Sequence, residues 1–512
     1  MIMKLYNRIF NFLAIGAAAL AVSCSEDYLE TAPTHTVDQE TVNKVMQDDP
    51  SQVQAYVTGS MFNLYCGGDY WTSYDDFGLP AVKLFTDLMC EDIAYTNDNH
   101  FFCYDYQMDN RMGNYRRTSA TWNQFYNLID GCNTVITMLK PEDGAAVSDD
   151  VAVMLGQAYS TRALAYFWLI NLWQHPYNVD PNALGVPVKN EVEYRANRVS
   201  VKEVYDQILG DAQAGYNYLE GKGYHSGDKT GLSEYAAAAI YANALMFVAD
   251  YNKAAEYAKK AIAGGSLNAS QLMGGFNSLA MDEVIWGYNV NEETTGYYAS
   301  FFSHVDSYMI GYGGAVGFRK MISSELLDQI KDTDVRRGWF GYNPAYNLLD
   351  NSYAYEEAYG LTKYIANKYR DSYTTTMGGA SPFTSAIIHT RIAEMYFVAA
   401  EAYYLAGDQA AALNMLNEIM VTRDPSYNCT ATGDALYQEI CLQKRIETWM
   451  EGCRYLDAKR RGETIDRSKS SNHSKSLPSF NAVTYSAHDY RMIYHIPEKE
   501  MQNNPEIEAD NE

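Results

Sequence analysis

Four stretches of the sequence set aromatic side chains among small and polar residues at spacings that neither a helix nor a strand requires. "YCGGDYWTSYDDFG" (65–78) places Tyr70, Trp71 and Tyr74 between glycines and aspartates, and "IAYTNDNHFFCYDY" (93–106) adds Tyr95 and His100 beside Asn97, Asp98 and Asn99. "TTGYYASFFSHVDSYMIGYGG" (294–314) adds Tyr297, Tyr298, Phe301 and Tyr312, and "RGWFGYNPAYN" (337–347) adds Trp339 and Tyr342. Flat rings cover the C–H faces of a sugar, while carboxylate, amide, imidazole and guanidinium groups satisfy its hydroxyl rim. A peptide would use similar aromatic pockets and add main-chain hydrogen bonds. The competing reading is that the rings bury their own loops, because aromatics dominate core packing too. Trp286, in "DEVIWGYNV", alternates as a strand residue does and is assigned to the core.

The residues do not offer a catalytic apparatus to set beside these rings. H-E-x-x-H, G-x-S-x-G and G-x-x-x-x-G-K-[ST] are all absent from the sequence, and no two of the 9 histidines stand at i, i+4. "GYGGAVGF" (311–318) does not fit a dinucleotide fingerprint and reads as a flexible loop. With 64 acids a glycosidase pair can always be postulated, but the carboxylate separation that such chemistry needs is not written in a sequence. "RIETWMEGCRYLDAKRRGE" (445–463) is dense in charge and reads as a helix laced with ion pairs at spacings of three and four. No cofactor is implied, a structural calcium among the Asp/Asn loops is left open, and a surface hydrolase is the enzyme reading kept as an alternative.

Helical periodicity dominates the segments that must carry the aromatic loops. "TWNQFYNLIDGCNTVITML" (121–139) repeats its apolar residues at helical spacing, "AVMLGQAYSTRALAYFWLINLW" (152–173) is more apolar and so more buried, and "SVKEVYDQILGDAQAGYNYL" (200–219) opens on Ser200 and Glu203, a capping-box pair. Segments 233–262 and 390–419 align without gaps, pairing Ala244 with Ala402, Ala249 with Gly407, Asp250 with Asp408 and Ala254 with Ala412. Each reads as a helix, a tight Ala/Gly–Asp turn and a second helix whose alanines face the first, the logic of tetratricopeptide (TPR) pairs. A simple solenoid is excluded because the units lie far apart. The expected architecture is mostly α: a scaffold of TPR-like helical pairs bearing long irregular excursions at roughly 65–118, 175–199 and 264–388. A net charge of −25 argues against nucleic acid as a partner.

The N-terminus reads as an address. Lys4 and Arg8 precede a largely apolar run from Ile9 to Val22, and Ala21-Val22-Ser23-Cys24 resembles a bacterial lipobox. That resemblance implies that residues 1–23 are removed, that Cys24 is lipidated, and that residues 24–40 form a tether. The other seven cysteines have no metal or scaffold spacing and read as buried apolar residues, with a Cys66–Cys103 bridge left open.

Several segments in order resemble one family: the lipobox with "CSEDYLETAPT", then "AYSTRALAYFWLINLWQHPY" with "GVPV", "VSVKEVYDQILGDAQAGYNYL", "RIAEMYFVAAEAYYLAGDQAAALNMLNEI", "LYQEICLQKRIETWMEGCRYLDAKRRGE" and "YHIPEKEMQNNPEI". Together they are similar to the SusD/RagB outer-membrane lipoproteins of Bacteroidetes, departing at "VTRDPSY" (421–427). The resemblance implies a single SusD-like domain over 41–512, divided at 41–263, 264–388 and 389–512. It implies placement on the outer face of the outer membrane, where Glu26 and Asp27 behind Cys24 resemble an export signal. It also implies capture of a glycan, with peptide as the alternative, for a TonB-dependent SusC-like transporter, without catalysis. Its ligand loops fall in the 65–105 and 290–320 regions. Read from the aromatic loops themselves, Tyr70, Trp71, Tyr74, Tyr95, His100, Tyr297, Tyr298, Tyr312 and Trp339 are the expected ligand-binding residues, and a TPR scaffold with no small ligand is the remaining alternative.

Overall fold

The computed structural model describes residues 51–62, 64–65, 73–95, 101–141, 145–190, 196–222, 229–376, 382–474 and 483–511. Cys24, Cys66, Tyr70, Trp71 and His100 lie outside the described residues. The chain divides into two compact units, Met1–Gln52 and Val53–Glu512, and the second carries the fold.

In chain order the first half holds α1 (Ser51–Phe62), α2 (Leu79–Leu88), β1 (Ile93–Tyr95), α3 (Phe101–Tyr106), α4 (Arg116–Leu139), α5 (Asp149–Trp173), β2 (Leu184–Pro187), β3 (Arg198–Ser200), α6 (Val201–Leu219), α7 (Glu234–Phe247) and α8 (Tyr251–Ile262). Shorter elements follow: β4 (Val284–Tyr288), α9 (Phe301–Val305), β5 (Lys320–Ile322), α10 (Ser324–Asp328), α11 (Ala354–Ala358), α12 (Ser372–Thr376) and β6 (Ile387–Arg391). The chain then returns to helix with α13 (Ile392–Leu405), α14 (Gln409–Arg423), α15 (Asp434–Glu447) and α16 (Cys453–Arg461), and ends on β7 (Thr464–Asp466), β8 (Thr484–Ser486) and α17 (Glu498–Asn503). The strands pair as four two-stranded antiparallel ribbons, β1–β5, β2–β3, β4–β6 and β7–β8. The fold is thus mostly α, as the periodicity implies.

Each long helix packs on the next, from α4 through α8, then on to α13, which also meets α14 and α15. Helix α5 is buried nearly all round, which marks it as the centre of the scaffold. Its start is set by Ser148, whose hydroxyl accepts from the Val151 amide, with Asp149 and Asp150 favouring the positive helix end. Helices α5 and α6 approach closely because glycines face each other: a Cβ on Gly215 would lie 2.2 Å from Ser160 Oγ and 3.0 Å from Gly156 O. Arg162 then locks three helices, forking onto Asp211 of α6 (2.8 and 2.7 Å) and donating to Asn133 Oδ1 of α4 at 2.6 Å. The Ser200–Glu203 capping box forms as its sequence requires.

The two repeated units are α7–α8 and α13–α14. Asp250 and Asp408 cap the second helix of each, accepting from Lys253 N and Ala411 N. The residues before them, Ala249 and Gly407, both have positive φ (61° and 90°), so the two turns share one backbone shape. Ribbon β4–β6 closes the loop-rich stretch at its base, where Trp286 is buried opposite Thr390, and β6 runs directly into α13.

Two expectations are corrected. The 65–118 excursion is not irregular throughout, since α2, α3 and the start of α4 fall within it; α2 carries Pro80 in its first turn, where a missing N–H costs nothing. The charged segment 445–463 is not one helix laced by near neighbours. Gly452, left-handed at φ 80°, separates α15 from α16, and most of the charges pair with distant elements. Glu447 lies between Arg423 (2.9 Å), Arg391 (3.0 Å) and Arg336 (3.3 Å), while Glu283 takes Arg423 at 2.7 Å and Arg391 at 3.2 Å, all of them buried. Only Asp457, with Arg460 and Arg461, keeps the expected spacing.

Candidate ligand-binding site

The short loop 73–78 holds Tyr74 outward, half-exposed at 50%, by anchoring everything behind it. Arg117, at the start of α4, donates to the Asp75 carbonyl at 2.8 Å and to Asp76 Oδ1 at 3.0 Å, and pairs with the Asp75 carboxylate. The same guanidinium reaches Asp105 of α3 at 3.0 and 3.2 Å and lies over the Phe85 and Phe102 rings. Arg116 adds Asp75 Oδ1 at 2.6 Å. Burial, with the Asp75 charge beside it, pushes the Asp105 carboxyl up to about 6, against the pull of Arg117. On the other side His304 of α9 donates Nε2 to the Tyr74 carbonyl at 2.8 Å.

His304 also begins a ring stack. Its imidazole lies parallel to Phe77 (5.4 Å, 22°) and to Tyr312 (4.7 Å, 17°), and Tyr312 is parallel to Phe318 (6.3 Å, 9°). The 311–318 loop that carries Tyr312 is hydrogen-bonded through its length rather than flexible: Gly313 N donates to Ser303 O, Ala315 N to Met309 O and Phe318 N to Tyr312 O, all at 2.8–2.9 Å. Glycine is required where the chain doubles back, because a Cβ on Gly314 would stand 1.9 Å from Met309 O.

From Tyr312 the rings continue across the surface. Tyr74 lies 5.8 Å and Tyr298 6.0 Å from it, Tyr297 lies 5.0 Å from Tyr298, and Phe383 lies 5.9 and 6.2 Å from Tyr297 and Tyr298. Phe101 closes the other flank, 6.4 Å from Tyr74. Thr295 joins the two loops by donating Oγ1 to the carbonyls of Pro382 (3.0 Å) and Phe383 (3.3 Å). Tyr297 and Phe383 both adopt left-handed backbone (φ 53° and 57°), which costs a side-chain-bearing residue about 1 kcal/mol or more and collects at ligand sites. Tyr74 and Tyr297 are exposed, Tyr298 and Tyr312 half-buried, so ring faces and hydroxyls are both presented.

Below this ridge sits Lys320 of β5. It is buried, donates to the carbonyls of His304 (3.1 Å) and Phe318 (3.2 Å), and lies 5.0 Å over the Phe102 ring. Burial pulls its amine down from 10.5 to about 7, with only the Asp75 field opposing.

Of the nine residues expected at a ligand site, the structure brings four together: Tyr74, Tyr297, Tyr298 and Tyr312. Two are corrected. Tyr95 is fully buried in β1, opposite Lys320 in the ribbon and packed on Tyr106. Trp339 is fully buried, donating Nε1 to Leu272 O at 2.9 Å with Lys368 Nζ 4.8 Å from its ring. Both are packing residues. Tyr342 likewise joins Tyr308 and Tyr353 in a separate cluster. Sequence reasoning missed Phe383, His304 and Phe318. Phe383 breaks the polar run "SPFTS" as an isolated ring, the signal that singled out the others. Among the described residues no group of three or more His, Cys, Asp or Glu is placed to hold a metal, and no helix is long and apolar enough to cross a membrane.

Comparison with known proteins places the chain among relatives. Residues 80–245 match a SusD-like family described as starch-binding and associating with the outer membrane, and residues 330–512 match the SusD family in its SusD/RagB form. The SusD-like protein P38 of Formosa agariphila is 23% identical over 392 residues, covering 67% of this chain and 72% of that protein. A SusD-like carbohydrate-binding protein from Bacteroides vulgatus superposes with a TM-score of 0.75 at 20% identity, over 90% of this chain and 97% of that one. Surface glycan-binding protein A from Bacteroides thetaiotaomicron, solved in complex with laminarihexaose, gives 0.65 at 17% identity, over 90% and 99%. At these identities the solved structures establish a shared fold.

Proposed function

We propose that this chain, which belongs to the SusD/RagB family, captures a glycan on the Tyr74–Tyr312–Tyr298–Tyr297 ridge and passes it to a TonB-dependent SusC-like transporter in the outer membrane. The observation that carries the reading is the ridge itself. Two stretches distant in sequence, the 73–78 loop and residues 294–318, converge to present four tyrosines, and the buried charge beneath Tyr74 serves to hold its loop there. Tyrosine faces stack on sugar rings, and their hydroxyls meet the sugar rim. The chain makes and breaks no bonds in this reading; it binds and hands over. The ligand class is supported by two structural relatives, a SusD-like carbohydrate-binding protein and a surface glycan-binding protein solved with laminarihexaose. Lipidation of Cys24 would hold the protein at the cell surface beside its transporter.

The test is a binding screen of protein lacking residues 1–24 against a polysaccharide panel that includes laminarihexaose, and against a peptide mixture. Saturable binding of a glycan, weakened by alanine at Tyr74, Tyr298 and Tyr312, is expected. Binding of peptides alone, or glycan binding indifferent to all three substitutions, refutes the reading.

A further inference from the structure

A cleft of about 390 Å³ opens on the helical side of the second unit, between the start of α8, the end of α13, and α15–α16. Its size falls within the roughly 300–1,000 Å³ of small-molecule pockets. It is lined by Tyr437, Gln438, Arg445, Arg460, Arg461 and Glu463, among others, none of which belongs to the aromatic ridge.

The wall is rich in donors. Arg460 is more than nine-tenths buried, and only its Nη2 is engaged, with Glu401 (2.7 Å) and Asp457 (3.1 Å); its Nε and Nη1 make no hydrogen bond among the described residues. Arg445 uses Nε and Nη2 on Asp92 and Glu325 and leaves Nη1 without a hydrogen bond among the described residues. Arg461 is spent on Glu401 at 2.7 and 2.8 Å, and touches Glu463 at 3.3 Å. The acids thus hold one edge of each guanidinium and orient it. The remaining edges form a fork for an acceptor, in a chain whose net charge is −25. Tyr437 stacks face to face on Tyr404 (5.0 Å, 20°), which fixes its ring in the wall, and Gln438 is exposed beside it.

We infer that this cleft is a second ligand site that takes a monosaccharide-sized sugar acid, its carboxylate on the open edges of Arg460 and Arg445 and its hydroxyls on Gln438, Tyr437 and Glu463. A simple anion would leave most of the cleft unfilled, and a neutral sugar would offer the open guanidinium edges no charged acceptor.

The experiment is calorimetric titration of the full chain in detergent, at low salt, with D-glucuronate, D-glucose and sulfate as separate probes. Glucuronate is expected to bind saturably and at least tenfold more tightly than glucose or sulfate. Gln438→Trp, an exposed position whose new ring would fill the cleft, should abolish that binding at an unchanged melting midpoint. Tyr74→Ala/Tyr298→Ala should leave it intact, which separates this site from the ridge. The inference is overturned if glucuronate does not saturate, if glucose or sulfate binds as tightly, or if folded Gln438→Trp binds undiminished.

Discussion

Replacing Lys320 with methionine should change how the protein's stability depends on pH. The amine is buried, its hydrogen-bond acceptors are two carbonyls, and no carboxylate lies within salt-bridge distance of it among the described residues. Its folded value of about 7 lies below the 10.5 of the exposed group. Between those values the unfolded chain binds a proton that the folded chain does not, so stability rises with pH across that window and the gain is complete near its top. Each pH unit is worth at most about 1.4 kcal/mol, so from pH 7 to 9.5 the contribution of this one group is about 3 kcal/mol. The methionine variant keeps the volume of the side chain and removes the titration. Urea midpoints of both proteins from pH 6 to 9.5 give the difference, in which other titrating groups cancel. The wild type should gain on the variant by about 3 kcal/mol as pH rises from 7 to 9.5. A difference that stays flat would mean that the amine is charged in the fold at neutral pH, and would refute the placement of an ammonium-excluding pocket under the ridge.

Three further outcomes follow from the same geometry. Alanine at Tyr74, Tyr298 or Tyr312 should each weaken glycan binding about tenfold, about 1.4 kcal/mol, measured by affinity electrophoresis; no change would remove that ring from the site. Arg117→Met leaves Asp75 and Asp105 buried without their main partner and should cost about 3–5 kcal/mol in urea unfolding, together with ligand affinity; a cost below about 1 kcal/mol would show that the cluster does not hold the Tyr74 loop. Gly314→Ala forces a Cβ against Met309 O and should cost about 1–3 kcal/mol while loosening the Tyr312 stack, read as reduced affinity and an altered near-ultraviolet dichroism spectrum.

What was legible in the sequence divides along one physical line. Signals that act within a few residues were readable: the Ser200–Glu203 box, the shared Ala249/Gly407 turns with their aspartate caps, the strand placement of Trp286, and the apolar stripe of α4. Each is fixed by local backbone geometry or by helix periodicity. Helix α2 is also a local feature, but its short apolar run is masked between two aromatic, polar stretches. The charges of 445–463 are evident in the sequence but their partners are not, because Glu91, Asp92, Arg391 and Arg423 reach them only through the folded chain.

The candidate site shows the same limit more sharply. Tyr95 and Tyr74 look alike in sequence, each a ring among short polar residues in a stretch without periodicity. What separates them is the return of a strand more than 200 residues later: β5 pairs with β1 and buries Tyr95, while α9, from the same stretch of chain, supplies His304 to the carbonyl of Tyr74 and leaves its ring outside. One excursion therefore decides which rings become core and which become surface. A ring's exposure is a property of the closing contact and not of its neighbours, so aromatic content can nominate the loops of a binding face, while the pairing of β1 with β5 and the Arg117 cluster select the tyrosines that a ligand can reach.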